Sequence, residues 1–149
     1  MKKRQLLAAV ALMAGIGLQA MAADLNWGTD LPKALAQAKA EKKMVLLDFT
    51  GSDWCSWCIK FDKDTLATDT FAAYARTHLE LVVVDYPKAK PQSDALKAAN
   101  KALGAKYKVD GYPTFVVLNA EGKEIGRQVG YAPGGPDAFI AKLKKFNKP

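Results

Sequence analysis

The hydrophobic pattern of this chain changes period several times, and the changes mark its elements. Leu31, Ala34, Leu35 and Ala38 recur at helical spacing behind Asp30 and Pro32, a cap residue and a first-turn proline. They predict a helix ending near Lys42. Met44-Val45-Leu46-Leu47-Asp48-Phe49 is then a nearly continuous apolar run, too short for a helix and suited to a strand covered on both faces. Gly51-Ser52-Asp53 breaks it, a helical stretch starts near Cys55, and Asp69 restarts a turn or two through Phe71 and Tyr74. Residues 79–86 (LELVVVDY) predict a second, valine-rich strand closed by Pro87. Asp94–Lys106 reads as helix, and the stretch Val109-Asp110-Gly111-Tyr112-Pro113 ends it. Thr114–Leu118 and Glu124–Val129 form a hairpin around a turn at 119–122, and a last helix from near Pro136 aligns Phe139, Ile140 and Leu143. Helices alternate with strands before an antiparallel hairpin, so the expected fold class is α/β, a mixed central sheet flanked by helices.

Ahead of these elements lies a different pattern. Met1-Lys2-Lys3-Arg4 is basic, residues 6–18 are uncharged and apolar, and Ala20-Met21-Ala22 has the small-x-small form of a cleavage site. This is the pattern of a secretory signal peptide over residues 1–22, leaving one domain at 23–149. The apolar run of 13 residues falls short of the ~20 a membrane-crossing helix needs, and no cysteine follows it to carry a lipid. The expectation is a periplasmic or otherwise extracytoplasmic protein without stable membrane insertion.

Charge changes little in this picture. The net charge of +7 includes Lys2, Lys3 and Arg4, so a chain starting near Ala23 carries +4, on lysines scattered over solvated helix faces. Such scatter and an exported address argue against a nucleic-acid partner. A mature chain of this size suits a single core, with no repeat or linker and no visible dimerisation segment, so a monomer is expected.

The chain has two cysteines, Cys55 and Cys58, in the stretch Gly51-Ser52-Asp53-Trp54-Cys55-Ser56-Trp57-Cys58. A disulfide-stapled scaffold of this length would need more. Placed where a buried strand gives way to a helix, Cys55 meets unpaired backbone N–H groups and the positive end of the helix dipole, which favour a thiolate, the nucleophile of disulfide exchange. Cys58, one turn further on, is within bonding reach and able to resolve a mixed disulfide. Asp48 is the only ionisable residue of its apolar run, and burying a carboxylate costs several kcal/mol unless it is paired or protonated. It either has a function or caps a turn at the strand end.

The strand MVLLDF, the motif WCSWC at a helix start and the segment GYPTF, in that order, resemble the thioredoxin superfamily over nearly the whole mature chain. The resemblance implies a thioredoxin-like fold and thiol:disulfide oxidoreductase activity on cysteine-containing protein substrates, with a redox-active Cys55–Cys58 disulfide and no dissociable cofactor. It implies a cis peptide bond before Pro113, a backbone ledge at Tyr112 for an extended substrate segment, and a role for Asp48 in moving the proton of Cys58. Trp54 matches the tryptophan before the first cysteine. Trp57 has no such match, and either extends an apolar rim for substrates or packs on its own helix. Gly130-Tyr131 resembles the glycine near the substrate groove, and Trp27 is expected as a core anchor.

Three departures from the family pattern bear on function. Asp48 lies seven residues before Cys55 rather than six, so the Gly51-Ser52-Asp53 loop carries one extra residue. The lysine that commonly neighbours the buried aspartate on the next strand has no counterpart among Leu81 to Val84. The intervening Ser56-Trp57 offers no histidine to hold a Cys55 thiolate, and Asp53 nearby opposes one, which favours a reductase over an oxidase or isomerase. A reductase in an oxidising compartment needs a supply of electrons, and a membrane-embedded electron donor is implied. Two rival readings remain at this level: copper(I) or zinc handling by the two thiolates and His78, which are too few for a tetrahedral zinc site, and a non-catalytic binding module with a structural bridge.

Overall fold

The structure, a computed structural model, describes residues 25–148. The signal-peptide reading of residues 1–22 lies outside the described residues. Asp30 caps helix α1 (Leu31–Glu41) by accepting the Lys33 N–H at 3.0 Å, and Lys42 closes it in the left-handed conformation, φ 55°. Strand β2 (Met44–Thr50) follows, and all of its residues are buried.

That burial comes from β2's position. The sheet has the order β1-β3-β2-β4-β5, with β1 (Trp27–Gly28), β3 (Leu79–Asp85), β4 (Thr114–Leu118) and β5 (Glu124–Val129). β2 pairs in parallel with β3 and antiparallel with β4, so both of its edges are occupied. The expected hairpin is present as β4 and β5. β1 was not legible in the sequence, because a two-residue strand shows no period.

The strand period of two sorts β2 between two cores. Val45, Leu47 and Phe49 face Leu31, Ala34 and Ala38 of α1, together with Val82, Val116 and Tyr107 beyond α4 (Asp94–Lys106). Met44 and Leu46 face the opposite layer, made by α2 (Ser56–Phe61), α3 (Asp69–His78) and α5 (Gly135–Phe146) through Phe61, Phe71, Phe139 and Leu143. Asp48 belongs by the same period to this second face, between Val83 on β3 and Phe115 on β4. Among the described residues no helix is long and apolar enough to cross a membrane.

The stretch after the cysteines is longer and more helical than the sequence suggested. α2 runs into a π-helical turn (Asp62–Leu66), and Thr68 then caps α3 by accepting the Phe71 N–H at 3.3 Å. α3 covers 10 residues rather than a turn or two. Its inner face includes Ala72 and Ala75, small residues that give a weak apolar period but pack closely.

Phe115 lies at the centre of the second core, its ring 4.6 Å from that of Phe61 and 5.2 Å from that of Phe139. Phe115→Ala is expected to cost about 3–5 kcal/mol through the cavity it leaves. Urea unfolding followed by circular dichroism will show this as a lowered midpoint with an unchanged slope.

Candidate active site

Cys55 and Cys58 are disulfide-bonded, with Cα atoms 5.2 Å apart. Cys55 is the N-cap of α2, and its Sγ accepts the Cys58 backbone N–H at 3.2 Å. A negative charge on that sulfur would meet a correctly aimed donor. The Cys55 N–H in turn donates to the Gly51 carbonyl at 2.8 Å, which closes the loop between strand and helix. Gly51 is needed there, because a Cβ would collide with the Trp54 indole.

Behind the disulfide, Cys58 and Asp48 line one cavity of about 290 Å³. This brings together the two residues that the sequence analysis connected through a proton. Asp48 is buried and its Oδ1 has no hydrogen-bond partner. Burial, reinforced by the nearby Asp62 and Asp85 carboxylates, pushes its pKa up to about 8. Asp62, at the start of the π-helical turn, lines the same cavity and is itself raised by burial. No apolar context marks Asp62 in the sequence as it marks Asp48, although its position four residues after Cys58 puts both on one helix face. Trp27 packs against the second core as expected and also walls this cavity.

The loop after β3 forms a second wall. The Asp53 carboxylate accepts backbone N–H groups of Lys88, Ala89 and Lys90 at 2.9, 2.7 and 2.9 Å. Those bonds, with the Lys88 amide foremost, lower its pKa to about 2. The ionised carboxylate two residues before Cys55 is thus turned onto this loop. Ser52 is held by Asp85, donating from its N–H at 2.9 Å and its Oγ at 2.6 Å. Trp54 donates its Nε1–H to the Tyr86 carbonyl at 2.7 Å, with the Lys88 ammonium 4.3 Å from its ring centroid.

Trp57, next to Cys58 on α2, borders an aromatic groove. Trp57, Tyr112, Gly130 and Tyr131 line it, with a volume of about 310 Å³. Trp57 is 56% exposed, and its ring tilts over that of Tyr131 at 5.2 Å. Tyr131 is fixed by its hydroxyl on Asp64 at 3.2 Å. Tyr112 makes an edge contact with Trp54 at 5.9 Å, and the Tyr112–Pro113 peptide bond is cis. Pro113 is buried, and its carbonyl accepts the Gly130 N–H at 2.8 Å. Gly130 has a φ of +77°, which a side chain would strain. His78 ends α3 stacked on Tyr74, and among the described residues no group of three or more His, Cys, Asp or Glu is placed to hold a metal ion.

The comparisons with known proteins agree with this geometry. Residues 31–147 match the model of the thioredoxin-like domain family. The disulfide bond reductase DsbH of Chlamydia pneumoniae is 42% identical over 127 residues, covering 85% of this chain and 75% of that protein. A solved DsbH oxidoreductase structure superposes with a TM-score of 0.78 at 37% identity, over 97% of this chain and 94% of that one. The thiol:disulfide interchange protein DsbD of Klebsiella pneumoniae is 38% identical over 120 residues, which are 78% of this chain but only 18% of DsbD.

The buried carboxylate gives stability a distinctive pH dependence. Asp48 titrates at about 8 in the folded chain against an ordinary 3.8, so between these values the folded state holds a proton that the unfolded chain has released. Stability from this group is therefore full below pH ~4 and falls as pH rises toward ~8. Asp48→Asn is expected to raise the urea midpoint of the oxidised protein at neutral pH. The gain should shrink as pH falls toward 4, as denaturation curves across this range will show.

Proposed function

The chain belongs to the thioredoxin-like domain family and is a thiol:disulfide oxidoreductase, and on that premise we propose that it works as an extracytoplasmic reductase of protein disulfides. The observation that carries the reading of the site is the shared cavity: the resolving sulfur of Cys58 opens onto a carboxylate poised to exchange a proton near neutral pH. The direction rests on the similarity to a protein named a disulfide bond reductase and on the absence of a histidine between the cysteines. Export rests on the N-terminal pattern.

In this reading the reduced protein attacks with the Cys55 thiolate. Its sulfur bonds to one sulfur of the substrate disulfide and expels the other as a thiolate. Cys58 then gives its proton to Asp48 and attacks Cys55 Sγ. The Cys55–Cys58 bond forms, the second substrate thiolate leaves and takes up a proton, and two electrons have passed to the substrate. Trp54, Trp57 and Tyr112 offer the apolar surface on which the substrate chain rests, and Tyr112-Pro113 supplies its backbone ledge. No dissociable cofactor enters these steps. Because an oxidising compartment would leave the protein as the disulfide, a membrane-embedded dithiol donor must return it to the reduced form. The similarity to a segment of a thiol:disulfide interchange protein fits a chain that exchanges thiols with another protein.

The Cys55–Cys58 couple, equilibrated in dithiothreitol buffers and counted by alkylation and mass, is expected nearer the roughly −270 mV of thioredoxin than the roughly −120 mV of strong oxidants. A value near the oxidants would reverse the direction assigned here, and a bridge that does not cycle would make the domain a binding module. Cys58→Ser is expected to accumulate a mixed disulfide with a peptide substrate, visible by non-reducing electrophoresis. Cys55→Ser should form none. Asp48→Asn should slow closure of the bridge by roughly 10²-fold, as general-base losses do, without unfolding the domain.

A further inference from the structure

The cavity shared by Asp48 and Cys58 has an unbalanced charge. Asp48 and Asp62 both line it, Asp85 lies close enough to raise Asp48, and Cys58 must pass through a thiolate there. The strand position beside Asp48 is Val83, so β3 supplies no cation. The cation that lines the cavity is Lys90, which comes from the loop after β3. Its ammonium lies 3.2 Å from Ser52 Oγ, at the cavity mouth, and the same Oγ donates to Asp85.

The position of Lys90 is itself enforced. Asp53, two residues before Cys55, collects three consecutive amide N–H groups ending with that of Lys90. An exposed loop would otherwise be free to carry this side chain elsewhere. The loop lengthened by one residue thus contributes Ser52, which receives the ammonium, and Asp53, which holds the backbone behind it.

We propose that Lys90 is the positioning cation of the resolving step, held over the Asp48–Cys58 cavity by an Asp53 latch and acting there in place of a lysine on the neighbouring strand. This rests on the reading of Cys58 as the resolving thiol. A flexible ammonium near Ser52 favours ionised Asp48 and the incipient Cys58 thiolate, while leaving Cys55 attack largely alone. The carboxylates that bear on Asp48 are Asp62 from the π-helical turn and Asp85 from β3. Cys58 from α2 and Lys90 from the loop line the same cavity, and Lys90 is the one cation in that lining.

The test separates the two sulfurs. Reduced protein mixed with 5,5′-dithiobis(2-nitrobenzoate) in a stopped-flow cell releases one thionitrobenzoate when Cys55 attacks and a second when Cys58 closes the bridge. Lys90→Gln is expected to leave the first phase within about twofold. It should slow the second by about three- to tenfold at pH 7 and move its pH midpoint up by roughly half to one unit, as loss of a partly solvated cation does. Lys90→Arg should restore the midpoint. Asp53→Asn should shift it in the same direction, and the double variant should be no slower than Lys90→Gln alone. An unmoved midpoint in Lys90→Gln overturns the proposal, even if thermal stability drops, because a purely structural lysine would give that result. Additive effects in the double variant overturn the latch. A wild-type protein that releases no second thionitrobenzoate would remove the reading of Cys58 itself, and Lys90 with it.

Discussion

A carboxylate on a fully buried strand of the sheet is the constraint to which the other features of this site answer. β2 is covered on both faces and paired on both edges, and Asp48 lines the cavity behind the disulfide. With no partner for Oδ1, the cheapest state of the group is the protonated one. The same burial that burdens the fold leaves a carboxyl that titrates at about 8 in one cavity with Cys58, the group that the proposed mechanism uses as its proton acceptor. Stability and chemistry here draw on one desolvation energy with opposite signs.

The fold positions this carboxylate through alternation and pairing. The period of two turns Asp48 toward α2 instead of α1, and the continuation of α2 into a π-helical turn brings Asp62 to the same cavity. Phe61, Phe115 and Phe139 fill the layer below and keep α2 against the sheet. Cys58 thus lines a polar cavity, while its chain neighbour Trp57 lines the aromatic groove with Tyr131.

Much of this was legible in the chain. The apolar run of β2, the capped start of α1, the β4–β5 hairpin and the two cysteines at a strand-to-helix junction each carry a local signal. So does Asp48, because one charge in an apolar run is conspicuous. The two-residue β1 and the full length of α3 were not legible: the first has no period, and the inner face of the second is partly alanine. The partners of Asp53 were not legible for a different reason. From sequence it is a charge two residues from a thiol, whereas its partners are backbone amides of Lys88, Ala89 and Lys90, more than thirty positions away.

The sequence alone determined the chemistry available to this protein: two thiols at bonding distance, a helix start to hold one of them, and a buried acid upstream. Those depend on spacing and period, which short segments carry within themselves. Tertiary structure decided which groups share a cavity, that the Trp57 ring tilts over Tyr131, and that a loop lysine lines the cavity of the acid where the neighbouring strand offers valine. These contacts join residues far apart in the chain. Their geometry exists only once the sheet has fixed its strand order and the loops have found their partners across it.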